Sequence, residues 1–150
     1  MQHEEPQEQA RAATRALREI LDVSREFEGR LGRELTVNPT DLSAMEHLIL
    51  AGPTGPSELA RRLRITPPAA TAVVDRLEAL GHVTRTTNPA DRRGVVVTPA
   101  PASVGHAMSI LMPMIMGIDA VLDEFDPEEQ AVITAYLKRV VEIYREHASA

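Results

Sequence analysis

Seven arginines lie between Gly55 and Thr98, namely Arg61, Arg62, Arg64, Arg76, Arg85, Arg92 and Arg93, against four acids, Glu58, Asp75, Glu78 and Asp91. That stretch has no lysine; the only Lys in the chain is Lys138. A guanidinium is planar and stays charged, so it forks onto phosphate oxygens and fits a narrow minor groove. The chemistry on offer is recognition of a polyanion rather than bond making. The net charge of the 150 residues is −6, which at first argues against nucleic acid. A local basic face is what such binding needs, however, not a basic protein. On charge alone, a solvated arginine-rich surface is the competing reading.

Other chemistries find little support. Cysteine is absent, which excludes disulfides, thiolate metal sites, cysteine nucleophiles and thiol redox switches. The histidines His3, His47, His82, His106 and His147 show no ligand spacing, so no metal and no cofactor are expected. There is no nucleophile elbow, phosphate loop or carboxylate pair in a defined setting, and the chain does not read as an enzyme. Asp119, Asp123, Glu124 and Asp126 read as a solvated helix end. No apolar run approaches the ~18 residues of a membrane span, and the polar start MQHEEPQEQA is unlike a secretion signal. A cytoplasmic protein without a membrane partner is expected. Apolar residues make up 43% and aromatics 3%, so a core must be built from Leu, Val, Ile, Ala and Met.

The elements that would position the arginines are legible in the periodicity. Residues 1–9 read as a frayed tail. A helix is expected from Ala10 to Leu35, with Leu17, Ile20, Leu21, Phe27 and Leu31 at helical spacing. Asn38-Pro39-Thr40-Asp41 restarts the chain with a cap, a first-turn proline and an acid at the capping-box position. Gly55-Pro56 opens a third helix with Glu58 in its first turn. Thr66-Pro67-Pro68 opens a fourth, where the missing proline N–H groups cost little, and Gly81 closes it. The period then switches to alternation at residues 82–87 and 94–98, around the turn chemistry of Asn88 to Arg93: a hairpin with a basic tip. Thr98-Pro99 reads as the start of an apolar helix to about residue 124, bent by Pro113. Asp126-Pro127-Glu128-Glu129 starts the last helix, striped by Val132, Ile133, Tyr136, Leu137, Val140, Val141 and Tyr144. The fold class is mainly α with a small β-hairpin wing. It is a winged helix-turn-helix over 38–98, flanked by N- and C-terminal dimerisation helices over 10–35 and 99–147.

In a helix-turn-helix the second helix enters the major groove and reads base edges from its N-terminal part. The candidates here are Thr66, Pro67, Pro68, Ala69, Ala70 and Thr71. They include no Arg, Asn or Gln for the bidentate contacts that distinguish guanine or adenine. Thr and Ala methyls can touch thymine methyls, and affinity should lean on phosphates and DNA shape. The phosphate and wing candidates are Ser57, Arg62, Arg76, Arg85, Asp91, Arg92 and Arg93, with Asp91 placed to hold a neighbouring arginine. A plain alanine-rich packing helix and a solvated charged turn are the competing readings.

The order of elements, the ELARRL helix, the ITPPAATAVVDRLEALGHVTR stretch and the NPADRR wing resemble the MarR family of bacterial transcriptional regulators over nearly the whole chain. The resemblance implies a homodimer held by the first and last helices, which reads a pseudo-palindromic operator in double-stranded DNA as a repressor. It also implies release by a small aromatic or anionic effector. By position, Thr66 to Thr71 correspond to the start of the recognition helix, Arg76 to the Arg of the family's Asp-Arg-Leu, and Asp91 and Arg92 to the Asp-Arg of the wing. Ala69 and Ala72 depart from the polar residues common there. Val97 to Pro101 and the late Gly105 suggest a hairpin shorter by two residues, and Pro113 is unlike the family pattern. His47, Met108 and Met112 are the effector-pocket candidates, with ordinary packing and a satisfied surface histidine as alternatives. Apart from the resemblance, two long apolar-striped helices in a short chain need a surface to cover them, and a second copy supplies it. The alternative function is a winged-helix dimer that binds protein and not DNA.

Overall fold

The computed structural model describes residues 10–88, 90–91 and 94–149. The chain divides into two compact units, one through Met108 and one from Ser109 onward.

The first unit opens with α1 (Ala12–Leu35), which stops where Thr36 turns left-handed at φ 59° and the Val37 N–H reaches back to the Gly32 carbonyl. That is the usual way to satisfy the last carbonyls of a helix, though a β-branched residue seldom fills the position. α2 (Pro39–Ala51) begins on the Asn38 side chain, which accepts the Asp41 N–H at 2.8 Å. The capping half of the expected motif is therefore present, but the Asp41 carboxylate is directed elsewhere, to Arg76. α3 (Pro56–Leu63) ends at Arg64, left-handed at φ 55°, and α4 (Pro67–Ala79) is capped by the Thr66 hydroxyl. The turn between α3 and α4 is three residues long, and Ile65 N–H bonds back to the Ala60 carbonyl.

β1 (Val83–Thr87) and β2 (Val95–Pro99) pair antiparallel, in register from Val83 opposite Pro99 to Thr87 opposite Val95. β2 thus includes Thr98 and Pro99, which the sequence suggested as a helix start. A proline is tolerated there because it is the last rung of a two-stranded ribbon. Thr54 adds a third, single-residue rung: its N–H and carbonyl bond to Val97 at 3.1 and 2.9 Å. No alternating pattern marks Thr54 in the sequence, and its pairing was not foreseen.

The core of this unit is built from Met45 and Leu48 of α2, Leu59 of α3, Val73, Val74 and Leu77 of α4, and Val83 and Val97 of the ribbon. Each helix contributes residues three or four apart, the period that puts one face inward. At about 1.5–3 kcal/mol per buried aliphatic side chain, this cluster is the main cohesive contribution to the module.

α5 (Pro101–Val121) starts two residues later than Thr98-Pro99 suggested and continues through Pro113 into a short 3₁₀ turn at Leu122–Glu124. The segment Pro101–Glu124 is long and apolar enough to cross a membrane by length and composition. This corrects the expectation that no stretch approaches that size. Gly, Ser, His and Pro interrupt the apolar run, yet nothing before Asp119 carries a formal charge.

In the second unit, α6 (Pro127–Ala148) follows a complete capping box, with Glu129 N–H to Asp126 Oδ1 at 2.9 Å and Asp126 N–H to Glu129 Oε1 at 3.0 Å. The Gln130 amide closes the corner on the Leu122 and Phe125 carbonyls at 2.8 and 2.9 Å. The apolar side chains here stay open: Met116, Ile118, Val132, Tyr136, Val141 and Tyr144 are all exposed.

Candidate nucleic-acid interface

The start of α4 stands clear of the core. Thr66, Pro67, Pro68, Ala69 and Thr71 are exposed, and Ala72 is half-buried. Ala70 is different: it is 0% exposed, on the same helical face as Val73, Val74 and Leu77. Its assignment to the reading surface is corrected on that ground, because a four-residue step along a helix keeps Ala70 on the packed side.

Most of the described arginines of the module are already held by carboxylates. On α3, Glu58 takes Arg61 at 2.5 Å and Arg62 at 3.0 Å, across i,i+3 and i,i+4 spacings that put them on one face. These bonds lower the Glu58 carboxyl below its ordinary range and raise the Arg61 guanidinium. Arg85 on β1 reaches back to α4, to Asp75 at 2.5 Å and Glu78 at 2.9 Å. The hydrogen bond from Asp75 is the main cause of its raised pKa. Arg76 forks onto Asp41 of α2, with Nε at 2.9 Å and Nη2 at 2.8 Å from the two carboxylate oxygens. That hydrogen bonding raises the Arg76 pKa. The Asp41 side chain is 3% exposed while that of Arg76 is 49% exposed, so the fork has one dry and one wet partner. Arg64 is exposed and joins no ion pair among the described residues. Arg76, Arg62 and Arg85, named as phosphate candidates, thus double as braces within the fold, and contact with DNA would make them share or exchange partners.

Ser57 lies exposed in the first turn of α3, where Gly55 supplies no side-chain cap. The wing turn is built on Asn88, whose N–H meets the Gly94 carbonyl at 2.9 Å and whose side chain accepts the Ala90 N–H at 3.0 Å. A Cβ at Gly94 would press on Asn88 Cβ at 3.3 Å, so the turn favours glycine there. Asp91 is exposed at this turn. Arg92 and Arg93 lie outside the described residues.

The effector candidates do not come together. A cleft of about 400 Å³ opens between α1 and α2, lined by Arg25, Glu28, Gly29, Arg33, Val37 and Glu46 among others, but not by His47, Met108 or Met112. Burial, then the nearby Glu28 charge, pushes the Glu46 carboxyl above its ordinary range, while His47 pulls it the other way. Met108 is half-buried at the end of the first unit and Met112 is exposed in the second. Sequence reasoning missed this cleft because its lining comes from the polar face of α1, where charges every few residues look like solvated surface.

His82, half-buried just before β1, joins three elements. Its Nε2 lies 2.7 Å from the Leu35 carbonyl and so donates to it, leaving Nδ1 to accept the Ser103 hydroxyl at 2.8 Å. No group of three or more metal-ligating side chains is found among the described residues.

Comparison with known proteins agrees with this arrangement. A sequence model of the MarR family matches residues 35–94, the stretch from the end of α1 to the wing. A Bacillus subtilis protein, the uncharacterized HTH-type transcriptional regulator YcgE, is 32% identical over 120 residues, 80% of this chain and 78% of that protein. The MarR-like transcriptional regulator tm0816 of Thermotoga maritima superposes with a TM-score of 0.69 at 27% identity, covering 91% of this chain and 99% of that one. The transcriptional regulator Tm0710 of the same organism gives 0.64 at 26%, covering 91% and 96%. These relatives are transcriptional regulators and not enzymes. The braced helix-turn-helix, its three-rung wing and these likenesses together place the chain in the MarR family of winged helix-turn-helix transcriptional regulators.

Proposed function

We propose that this chain is a cytoplasmic homodimeric repressor that binds a pseudo-palindromic operator in double-stranded DNA through α4 and the wing. The observation that carries the reading is the exposed start of α4 beside a ribbon that leaves the same core. One element is thereby offered to the major groove while the other extends along the duplex. Wing contacts are assigned to Asp91, Arg92 and Arg93, and backbone contacts to Ser57, Arg62 and Arg64.

Dimerisation is supported by the uncovered apolar side chains of α5 and α6, which exceed what a monomer of this size ordinarily leaves in water. A two-fold pair would set the two reading helices about 34 Å apart, one turn of DNA. Release by a small aromatic or anionic ligand is supported by the α1–α2 cleft, where Arg25 and Arg33 are available to a carboxylate.

The test is an anisotropy titration of the full chain against duplexes from its own upstream DNA and from a selected random pool, at two salt concentrations. Salt-sensitive binding with log K falling linearly against log salt is expected. Light scattering should give a dimer, and a promoter reporter should fall when the chain is expressed. Absence of binding to any duplex removes the regulator reading. It would favour a dimer that docks protein, a reading to which the donor-poor surface of α4 also lends support.

A further inference from the structure

α4 begins without a free backbone donor. Its first two residues, Pro67 and Pro68, have no N–H; that of Ala69 goes to Thr66 Oγ1 at 3.2 Å, and that of Ala70 to the Thr66 carbonyl at 3.0 Å. A helix N-terminus ordinarily turns such groups toward anions, and this one has none to turn. The side chains continue the pattern. The Thr71 hydroxyl gives its proton to the Pro67 carbonyl at 3.1 Å. Asp75 and Glu78 are held by Arg85, and Arg76 is held by Asp41. In the first two turns of α4 and its cap, the Thr66 hydroxyl proton is the one side-chain donor left uncommitted. The rest of the exposed surface is the rings of Pro67 and Pro68 and the methyls of Ala69 and Thr71.

Such a surface cannot answer the acceptors of guanine in the major groove. Covering N7 and O6 with methyl groups would strip their water and return no hydrogen bond. A pyrimidine C5-methyl is the one major-groove feature that gains by being covered with carbon. We infer that α4 selects duplexes by pyrimidine C5-methyl groups, thymine or 5-methylcytosine, packed against Pro67, Pro68, Ala69 and Thr71, and disfavours guanine at those positions. The inference rests on the proposed role of α4 in DNA reading and states what it reads. At the usual free energy of burying one methyl, each such contact is worth about fourfold in affinity, and about fifteenfold across two half-sites.

The test takes duplexes recovered from a random pool by the full-length chain and replaces thymine by deoxyuridine, one position at a time, so that only the methyl is removed. Loss of about fourfold is expected at one or two positions per half-site, with no loss at flanking positions. In a second arm, cytosine and then 5-methylcytosine replace thymine at the sensitive positions, and recovery with the methylated base alone assigns the effect to the methyl. Thr71→Ser removes the protein methyl and keeps the hydroxyl. It should weaken the thymine duplex several-fold and leave the uracil duplex unchanged, the non-additivity that marks a direct contact. Equal binding of thymine and uracil duplexes, with salt sensitivity intact, overturns the methyl reading and leaves DNA binding standing. Failure to recover any bound duplex overturns both.

Discussion

Arg76 and Asp41 stand 35 residues apart in sequence and lock α4 to α2 through a two-pronged ion pair whose acid is buried and whose base is half in water. The asymmetry fixes what each substitution should do. Arg76→Ala strands the carboxylate of Asp41 inside the module, and an unsatisfied buried acceptor costs on the order of 1–3 kcal/mol, more when charged. Asp41→Asn leaves a guanidinium that water can solvate. Urea unfolding should therefore show a clearly larger loss for Arg76→Ala than for Asp41→Asn, with the double variant recovering part of the loss. Equal effects of the two single substitutions would contradict the dry-and-wet description.

Glu58 holds down the charge of α3. Glu58→Gln should free Arg61 and Arg62, raise duplex affinity at low salt and steepen the salt slope by roughly one to two units, since each neutralised phosphate contributes about 0.9. The fold should be unaffected apart from a small change in this exposed pair. An unchanged slope would mean that neither arginine reaches the DNA backbone.

His82 holds the end of α1, the root of the wing and the start of α5 with two side-chain bonds. His82→Ala leaves the Leu35 carbonyl and the Ser103 hydroxyl without their partner in a largely buried place. A loss of about 1–3 kcal/mol in chemical denaturation is expected. Hydrogen exchange should quicken at residues 35–37 and 100–103 before it does in α3. Uniform quickening across the module would assign His82 to general packing instead.

Two carboxyls predict opposite responses to acid. Asp126 is held below its ordinary range, first by the Glu129 N–H. Its contribution is present above the pKa of the unfolded chain and is lost as pH falls through the lower folded value. Glu46 is held above its range by burial, so its contribution is present in acid and lost as pH rises through the folded value. Glu46→Gln should accordingly raise the thermal midpoint at neutral pH and give no gain below the ordinary carboxylate range. Asp126→Ala should lower the midpoint at neutral pH and narrow its gap to the parent in strong acid.

The helix starts were legible because they are local. Asn38, Thr66 and Asp126 each meet a backbone N–H three residues on, and prolines fall where a helix can accept them. The register of the ribbon and its alternating residues were legible for the same reason. Contacts that depend on the folded chain were hidden. Nothing near Arg76 or Arg85 in sequence marks Asp41 or the α4 acids as their partners, so a count of arginines overstated the free charge. Ala70 shares its chemistry with exposed Ala69 and differs only by 100° of helical rotation, which residue type alone does not resolve. Thr54 pairs through its backbone and gives no side-chain signal. The start of α5 shifted because Pro99 and Pro101 both suit a first helical turn, and strand pairing claimed the first of them.

The rung between Thr54 and Val97 changes the mechanics of the wing. A ribbon attached only through Gly81 and His82 would pivot there like a flap. Fastened a second time, at the loop that leads into α3, it becomes a bracket with two mounting points and little freedom to swing. A push on α3 is then delivered to the ribbon without slack. On a duplex, such a part lets go as a whole: groove and backbone contacts would be gained or lost together, and the occupancy of each half-site would be all-or-none rather than graded.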